Sequence, residues 1–329
     1  MPTSATTGAQ LVSRPPVLQI CFPERFTVQE AVQLRAELDQ QPPAWSQYEQ
    51  LALDFAATSL IDSSGLGVVV TLAKAAMAAD LSVEAVAVGP QVQLAAQLIG
   101  LDQIITIRLQ EATSASPRSS PEPLPVTHPS VRSPIKRGID IAGASLGLLI
   151  TGAMFPFIAL AIQIESPGPV LFCQTRCGWM GRRFRLWKFR SMVVDAEARR
   201  HEVTNQARGA LFKNDNDPRI TRVGRFLRRT SIDELPQFWN VLIGDMSLIG
   251  TRPPTEDEVE RYAVPNWQRF DVKPGMSGEW QVYGRSTVRD FDDVIKLDLR
   301  YQERWSLRHD LYLIRRTIGL MISGRTGAV

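Results

Sequence analysis

Arg228-Arg229-Thr230-Ser231-Ile232-Asp233-Glu234-Leu235-Pro236-Gln237 sets two adjacent carboxylates after a pair of arginines and at the start of an apolar helical pattern. A carboxylate can attack phosphorus and form an acyl phosphate, which splits one difficult transfer into two easier ones. Arginines neutralise phosphate charge, and a helix amino terminus adds N–H donors, so the grouping suits phosphoryl chemistry. The same spacing also reads as a helix start and nothing more. Ser231 and Glu234 stand at capping-box separation, and Asp233 favours the helix dipole. Spacing alone leaves both readings open.

The wider charge pattern points to an anionic partner. A formal net charge of +3 conceals a split, with six Lys/Arg against twelve Asp/Glu in residues 1–130. Residues 182–230 alone hold fourteen Lys/Arg against five acids. Such a stretch suits substrate phosphates, anionic lipid headgroups or nucleic acid. No recognisable nucleic-acid-binding module accompanies it, so no nucleic-acid partner is expected. Cys173 and Cys177 have no histidine near them in sequence and read as structural thiols rather than a zinc site.

The elements that must carry these groups fall into segments. Val17–Cys21, Leu51–Phe55 and Val83–Val88 read as strands, and Gln29–Leu38 and Leu66–Ala79 carry the helix period. That alternation predicts an α/β domain over 17–110, a small sheet with helices packed on it. Residues 111–134 hold Pro117, Pro121, Pro123, Pro125, Pro129 and Pro134 among serines and threonines, and predict an extended linker. Beyond it, Val170–Cys177 and Phe184–Phe189 read as strands. Ile220–Arg229, Glu234–Ile243, Thr255–Ala263, Asp290–Tyr301 and Leu307–Ile322 read as helices, giving a mainly helical α+β domain over 166–329.

Between the linker and this second domain, Ile141–Ile164 carries no charged side chain. It is long enough to cross a hydrocarbon core of roughly 30 Å. Pro156 sits near its middle, where proline removes a backbone donor and bends a helix. Both flanks are basic: Arg132, Lys136 and Arg137 before, Arg176, Arg182, Arg183 and Arg185 after. The positive-inside rule then puts both ends on the cytoplasmic side. A re-entrant helix over 135–165, turning at Pro156, satisfies both observations; a buried core helix and a plain span are the alternatives. The amino terminus, MPTSATTGAQ, lacks the basic start and apolar core of a secretory signal, so the first domain is expected in the cytoplasm.

Several ordered motifs give residues 134–329 a resemblance to the bacterial sugar transferases, the monotopic polyprenol-phosphate phosphoglycosyl transferases. They are Lys136-Arg137-x-x-Asp140, Ser166-Pro167-Gly168-Pro169-Val170-Leu171-Phe172, Leu186-Trp187-Lys188-Phe189-Arg190-Ser191-Met192 and Asn216-Asp217-Pro218-Arg219-Ile220-Thr221. The Asp233-Glu234 dyad follows, then Ser247-Leu248-Ile249-Gly250-Thr251-Arg252-Pro253, Lys273-Pro274-Gly275-Met276-Ser277-Gly278, Gln281 and Gly284-Arg285. Thr251 stands where the family usually has proline, and Phe155 where many small members have serine before the helix-breaking proline.

The resemblance implies that Asp233 attacks the β-phosphate of a UDP-sugar, releases UMP and passes the sugar phosphate to polyprenol phosphate, the first membrane step of polysaccharide or glycoconjugate assembly. Glu234 would be a base or a ligand of Mg²⁺, the implied cofactor. Arg228, Arg252, Lys273, Gln281 and Arg285 are the implied substrate contacts. Lys136 and Arg137 would anchor the helix at lipid headgroups, with Asp140 tying them into the fold. Trp280-Gln281-Val282-Tyr283-Gly284-Arg285-Ser286 is more like the branch that transfers plain hexose phosphates. The implied location is the cytoplasmic membrane, with the catalytic and amino-terminal domains on the cytoplasmic side.

Residues 17–110 resemble the STAS domain of anti-sigma factor antagonists, on Leu51-Ala52-Leu53-Asp54-Phe55, Ser59-Leu60-Ile61-Asp62-Ser63-Ser64-Gly65-Leu66-Gly67 and Leu98-Ile99-Gly100-Leu101-Asp102-Gln103-Ile104. The resemblance makes Ser63 the phosphorylated, regulatory serine and implies a protein partner or kinase. The plainer reading of Asp62, Ser63 and Ser64 is a cluster that shapes a helix start. A different function class, a STAS signalling or scaffold protein with an inactive membrane anchor, competes with the transferase. The intact Asp233-Glu234 pair favours the enzyme.

Overall fold

The structure, a computed structural model, describes residues 8–110, 128–207, 209, 212, 214–284, 288 and 290–322. Its chain divides into two compact units. The first comprises Met1–Thr127, Met180–Arg182 and Tyr262–Asp271; the second comprises His128–Trp179, Arg183–Arg261 and Val272–Val329. Two pieces of the expected catalytic stretch 166–329 therefore belong to the first unit.

In the first unit, alternation of apolar residues builds a five-stranded sheet of order β1-β2-β4-β6-β7. β1 (Gln10–Arg14) runs antiparallel to β2 (Val17–Cys21). β3 (Arg25–Phe26) follows, then α1 (Val28–Gln40). β4 (Gln50–Asp54) pairs parallel with β2, and β5 (Leu60–Ile61) pairs parallel with β3. After α2 (Ser63–Ala78) come β6 (Ser82–Val88), α3 (Pro90–Leu98) and β7 (Thr106–Leu109), whose strands continue the parallel order. Leu18, Ile20, Leu51, Leu53 and Ala85 are buried, as inner strands flanked by crossover helices require.

Capping fixes where α1 and α2 begin. Thr27 and Glu30 form a capping box on α1, and Asp62 caps α2 by accepting from the Gly65 amide at 2.8 Å. Gly65 is required here, because a Cβ would lie 2.4 Å from the Phe26 carbonyl oxygen. A 3₁₀ segment, Val264–Asp271, packs on α2 with Phe270 buried and Trp267 against Gly67. That burial is why this piece joins the first unit.

The second unit opens with α4 (Pro129–Arg132) and α5 (Pro134–Glu165). Residues 111–127 of the expected linker lie outside the described residues. Pro129 and Pro134 do not extend it; each lies in the first turn of a helix, where the missing N–H has no partner to lose. A hairpin follows, β8 (Leu171–Cys177) antiparallel to β9 (Arg183–Phe189), with Cys173 and Cys177 as free thiols. Then come α6 (Arg222–Thr230), α7 (Gln237–Ile243), β10 (Ser247–Ile249), α8 (Glu256–Val259) and β11 (Gly275–Ser277) parallel to β10. A π-helical turn, Trp280–Gly284, precedes α9 (Phe291–Glu303) and α10 (Leu307–Ile322).

By length and composition α5 could cross a membrane. Its packing is of another kind. Lys136, Asp140, Ala144, Gly147, Thr151, Ile158 and Ile162 are buried in one stripe that runs from its first turn nearly to its last. Ala144 packs with Val241 and Met246; Ile158 and Ile162 pack with Phe189, Leu227 and Leu235. At Gly147 a Cβ would meet the Phe238 ring at 2.4 Å, so glycine lets α7 approach. The opposite face is bare and apolar, with Leu149 and Phe157 exposed. Pro156, where the turn is expected, lies inside the helix, which continues to Glu165. Pro156 lies on the exposed side, where its lost hydrogen bond does not disturb the packed stripe.

Candidate active site

Asp233 sits on a tight link between two helices. At the end of α6, Ser231 takes a left-handed conformation (φ 58°) and its amide bonds to the Arg228 carbonyl at 3.1 Å. The chain then makes a 3₁₀ turn, Ile232–Glu234, before α7. The Ser231 side chain makes no capping hydrogen bond there, so the capping-box alternative is not what the chain forms. Asp233 is buried at the wall of a cavity of about 440 Å³ that lies wholly in the second unit.

The strands of the hairpin supply the opposite wall. Lys188 on β9 meets Glu234 Oε1 at 3.0 Å, which fixes the second carboxylate beside the first. Arg176 on β8 enters the same cavity, donating to the Pro253 carbonyl at 3.0 Å and to Gln174 Oε1 at 2.7 Å. Burial, with the nearby charge of Arg252, brings the Arg176 guanidinium down to about 10. Arg252 grips Glu258 with two hydrogen bonds of 2.8 and 3.0 Å. Burial alone would raise the Glu258 carboxyl, but the charge and hydrogen bonds of Arg252, helped by Arg176, hold it at about 2. Thr251, where the family pattern has proline, is buried and its carbonyl accepts from the Gly275 amide at 2.8 Å. Cations crowded in this way are relieved by an incoming anion.

Arg228, Asp233, Glu234, Arg252 and Gln281 are thus brought together at one cavity, Gln281 from the π-helical turn. Lys273 is not among the lining residues; its ammonium donates to the Gly244 carbonyl at 2.8 Å, at the carboxyl end of α7. Arg285 lies outside the described residues. Lys136 and Arg137, expected at headgroups, are both engaged by protein groups. Lys136 is buried, with Nζ 2.6 Å from Asp310 Oδ2 and 2.9 Å from the Ile249 carbonyl. Arg137 donates to the Val241 and Leu242 carbonyls at 2.7 Å, closing the carboxyl end of α7. Asp140 accepts from the Ser247 hydroxyl and the Leu248 amide, both at 2.9 Å. Ser63 lies in the first unit and is fully buried, its hydroxyl bonded to Asp271 and the Trp267 carbonyl.

The profile of the bacterial sugar transferase family matches residues 131–324, more than half of the chain and all of this site. The chain belongs to that family. Residues 10–114 match the STAS domain, so this sugar transferase carries a STAS domain ahead of its transferase half. The galactosyl transferase CpsE of Streptococcus agalactiae serotype III is 50% identical over 195 residues, covering 59% of this chain and 43% of that protein. The UDP-glucose:undecaprenyl-phosphate glucose-1-phosphate transferase of Escherichia coli K12 is 41% identical over 191 residues, covering 56% of this chain and 39% of that one. The exopolysaccharide production protein ExoY of Rhizobium meliloti is 34% identical over 212 residues, covering 63% and 93%. This sugar transferase spans about two fifths of the length of the first two relatives.

For a magnesium ion the transferase offers the adjacent carboxylates Asp233 and Glu234, and no cluster of three or more His, Cys, Asp or Glu among the described residues. That donor set fits an ion which takes one or two protein carboxylates and completes its shell with substrate phosphates and water.

Lys188, Arg176 and Arg190, none of them an expected substrate contact, also line the site. For Lys188 a signal was available. It stands in register with Phe184 and Leu186, both buried, so it is a lysine on the inward side of a strand.

Proposed function

We propose that this sugar transferase moves a sugar phosphate from a UDP-sugar to polyprenol phosphate through a covalent intermediate on Asp233. The observation that carries the reading is the buried Asp233 at the wall of a cavity lined by Arg176, Lys188, Arg228 and Arg252. A carboxylate oxygen of Asp233 attacks the β-phosphorus. The bond from that phosphorus to the bridging oxygen breaks, and UMP leaves with the electron pair. An oxygen of polyprenol phosphate then attacks the same phosphorus, and the Asp233 carboxylate leaves. The arginines offset charge on the transferring phosphoryl group. Lys188 holds Glu234 in place. Bound Mg²⁺, held by Glu234, would neutralise diphosphate charge.

Hexose is the proposed sugar class, on the Trp280–Gly284 segment that presents Gln281 to the cavity. The bare apolar face of α5 supports attachment to the cytoplasmic membrane as a re-entrant helix with both ends on the cytoplasmic side. The STAS domain supports a protein partner as well.

The test is incubation of the full chain in detergent with UDP-glucose and UDP-galactose, with and without polyprenol phosphate. A hexose-phosphate mass adduct on the peptide bearing Asp233, with stoichiometric UMP, is expected without acceptor. Its absence with every UDP-sugar tried, alongside acceptor-dependent turnover, would exclude the covalent route.

A further inference from the structure

We propose that Arg190 is the contact for the phosphate of the lipid acceptor; this rests on the transferase reading above. Arg190 follows β9 directly, and its amide donates to the Val170 carbonyl at 2.9 Å. Its Nη2 donates to the Ser166 carbonyl, the residue that closes α5. The guanidinium is therefore tied to the stretch where the apolar helix ends. Only 7% of Arg190 is exposed, yet Nε and Nη1 are buried without a hydrogen-bond partner, and it forms no ion pair among the described residues.

A buried cation with two idle donors is costly unless an anion completes it. Lys188 and Arg252, in the same cavity, already face carboxylates. Arg190 shares that cavity with Asp233; exposed Val194 lies beside its Nη1 at Gly168, and Phe172, also exposed and apolar, lines the same cavity. A phosphate beside apolar surface suits a head group with a hydrocarbon tail rather than a nucleotide. Gly168 protects the arrangement: at φ 136° it leaves room for Nη1, which a Cβ would meet at 2.8 Å.

A donor diphosphate offers the same phosphate chemistry, so the test must separate the two sources. Binding of a short polyprenyl phosphate and of UDP would be measured separately on the full chain, for parent, R190Q and R190K. A charge-assisted hydrogen bond is worth about 1.5–3 kcal/mol, so R190Q should weaken the polyprenyl phosphate roughly tenfold to a hundredfold. UDP affinity should change by less than about threefold, and R190K should recover part of the polyprenyl phosphate binding. Loss of UDP binding with the lipid unaffected, equal loss of both in either variant, or no change in either overturns the assignment. Because binding needs no turnover, this outcome is independent of whether the parent forms the Asp233 adduct.

Discussion

The hydroxyl of Ser63 lies 2.6 Å from Asp271 Oδ1, a hydrogen bond across 208 positions of the chain. The serine that opens α2 is thus met inside the first unit by a carboxyl from the transferase-family half. Burial pushes the Asp271 carboxyl up to about 7; the Ser63 bond opposes this and the charge of Asp62 adds to it.

A pH dependence follows. The folded carboxyl holds its proton more tightly than an unfolded aspartic acid, with an ordinary value of 3.8. Stability from this group is therefore full in acid and falls as pH rises from about 4 toward 7. Asp271→Asn, whose amide oxygen can still accept from Ser63, should flatten the pH 5–8 change in melting temperature. An unchanged slope would remove Asp271 as its source.

Ser63→Glu should unfold the first unit rather than imitate a modest switch. It places a charge in a fully buried position beside Asp62 and Asp271. Destabilisation of about 3 kcal/mol or more in denaturant melts is expected. A stable variant would show that this contact opens readily.

Lys136→Met should cost roughly 3–5 kcal/mol, because it leaves Asp310 buried without its cation. Binding of the folded fraction to anionic vesicles should not change. A variant of normal stability with weakened vesicle binding would restore the headgroup role.

Asp233→Asn should abolish turnover with the fold intact, since an amide cannot form the acyl phosphate. Residual activity above about one per cent would remove Asp233 as nucleophile, because acid–base groups contribute only ~10²–10⁴-fold. Glu234→Gln should lose most turnover while still collecting the mass adduct.

Single cysteines near residues 134 and 168 should both label from the cytoplasmic side. Cysteines replacing Leu149 and Phe157, on the bare face of α5, should be shielded by lipid. Labelling of residue 168 only from outside would establish a span.

Local patterns made much of this legible. β2 occupies the expected residues 17–21, and α10 the expected 307–322, because apolar periodicity is strong in both. β1 escapes the pattern because it is a short edge strand with mostly exposed residues, Leu11 among them. Thr255–Ala263 read as one helix, but only Glu256–Val259 is α-helical, and the chain then tightens into the 3₁₀ segment that packs on α2. The Asp233-Glu234 pair is local and could be read. The expectation of Lys136 at headgroups misses its partner Asp310, which stands 174 positions away. Charge counts near an apolar helix carry no information about such a partner.

The 3₁₀ segment Val264–Asp271 has a consequence for building chimeras. Cutting the chain at its proline-rich stretch to remove residues 1–125 would leave Phe270 and Trp267 without the α2 surface that covers them. The two family segments are therefore not interchangeable cassettes. A graft of this transferase onto another amino-terminal partner would need residues 262–271 redesigned with it, and substitutions at Gly67 and Trp267 should be inherited as a pair.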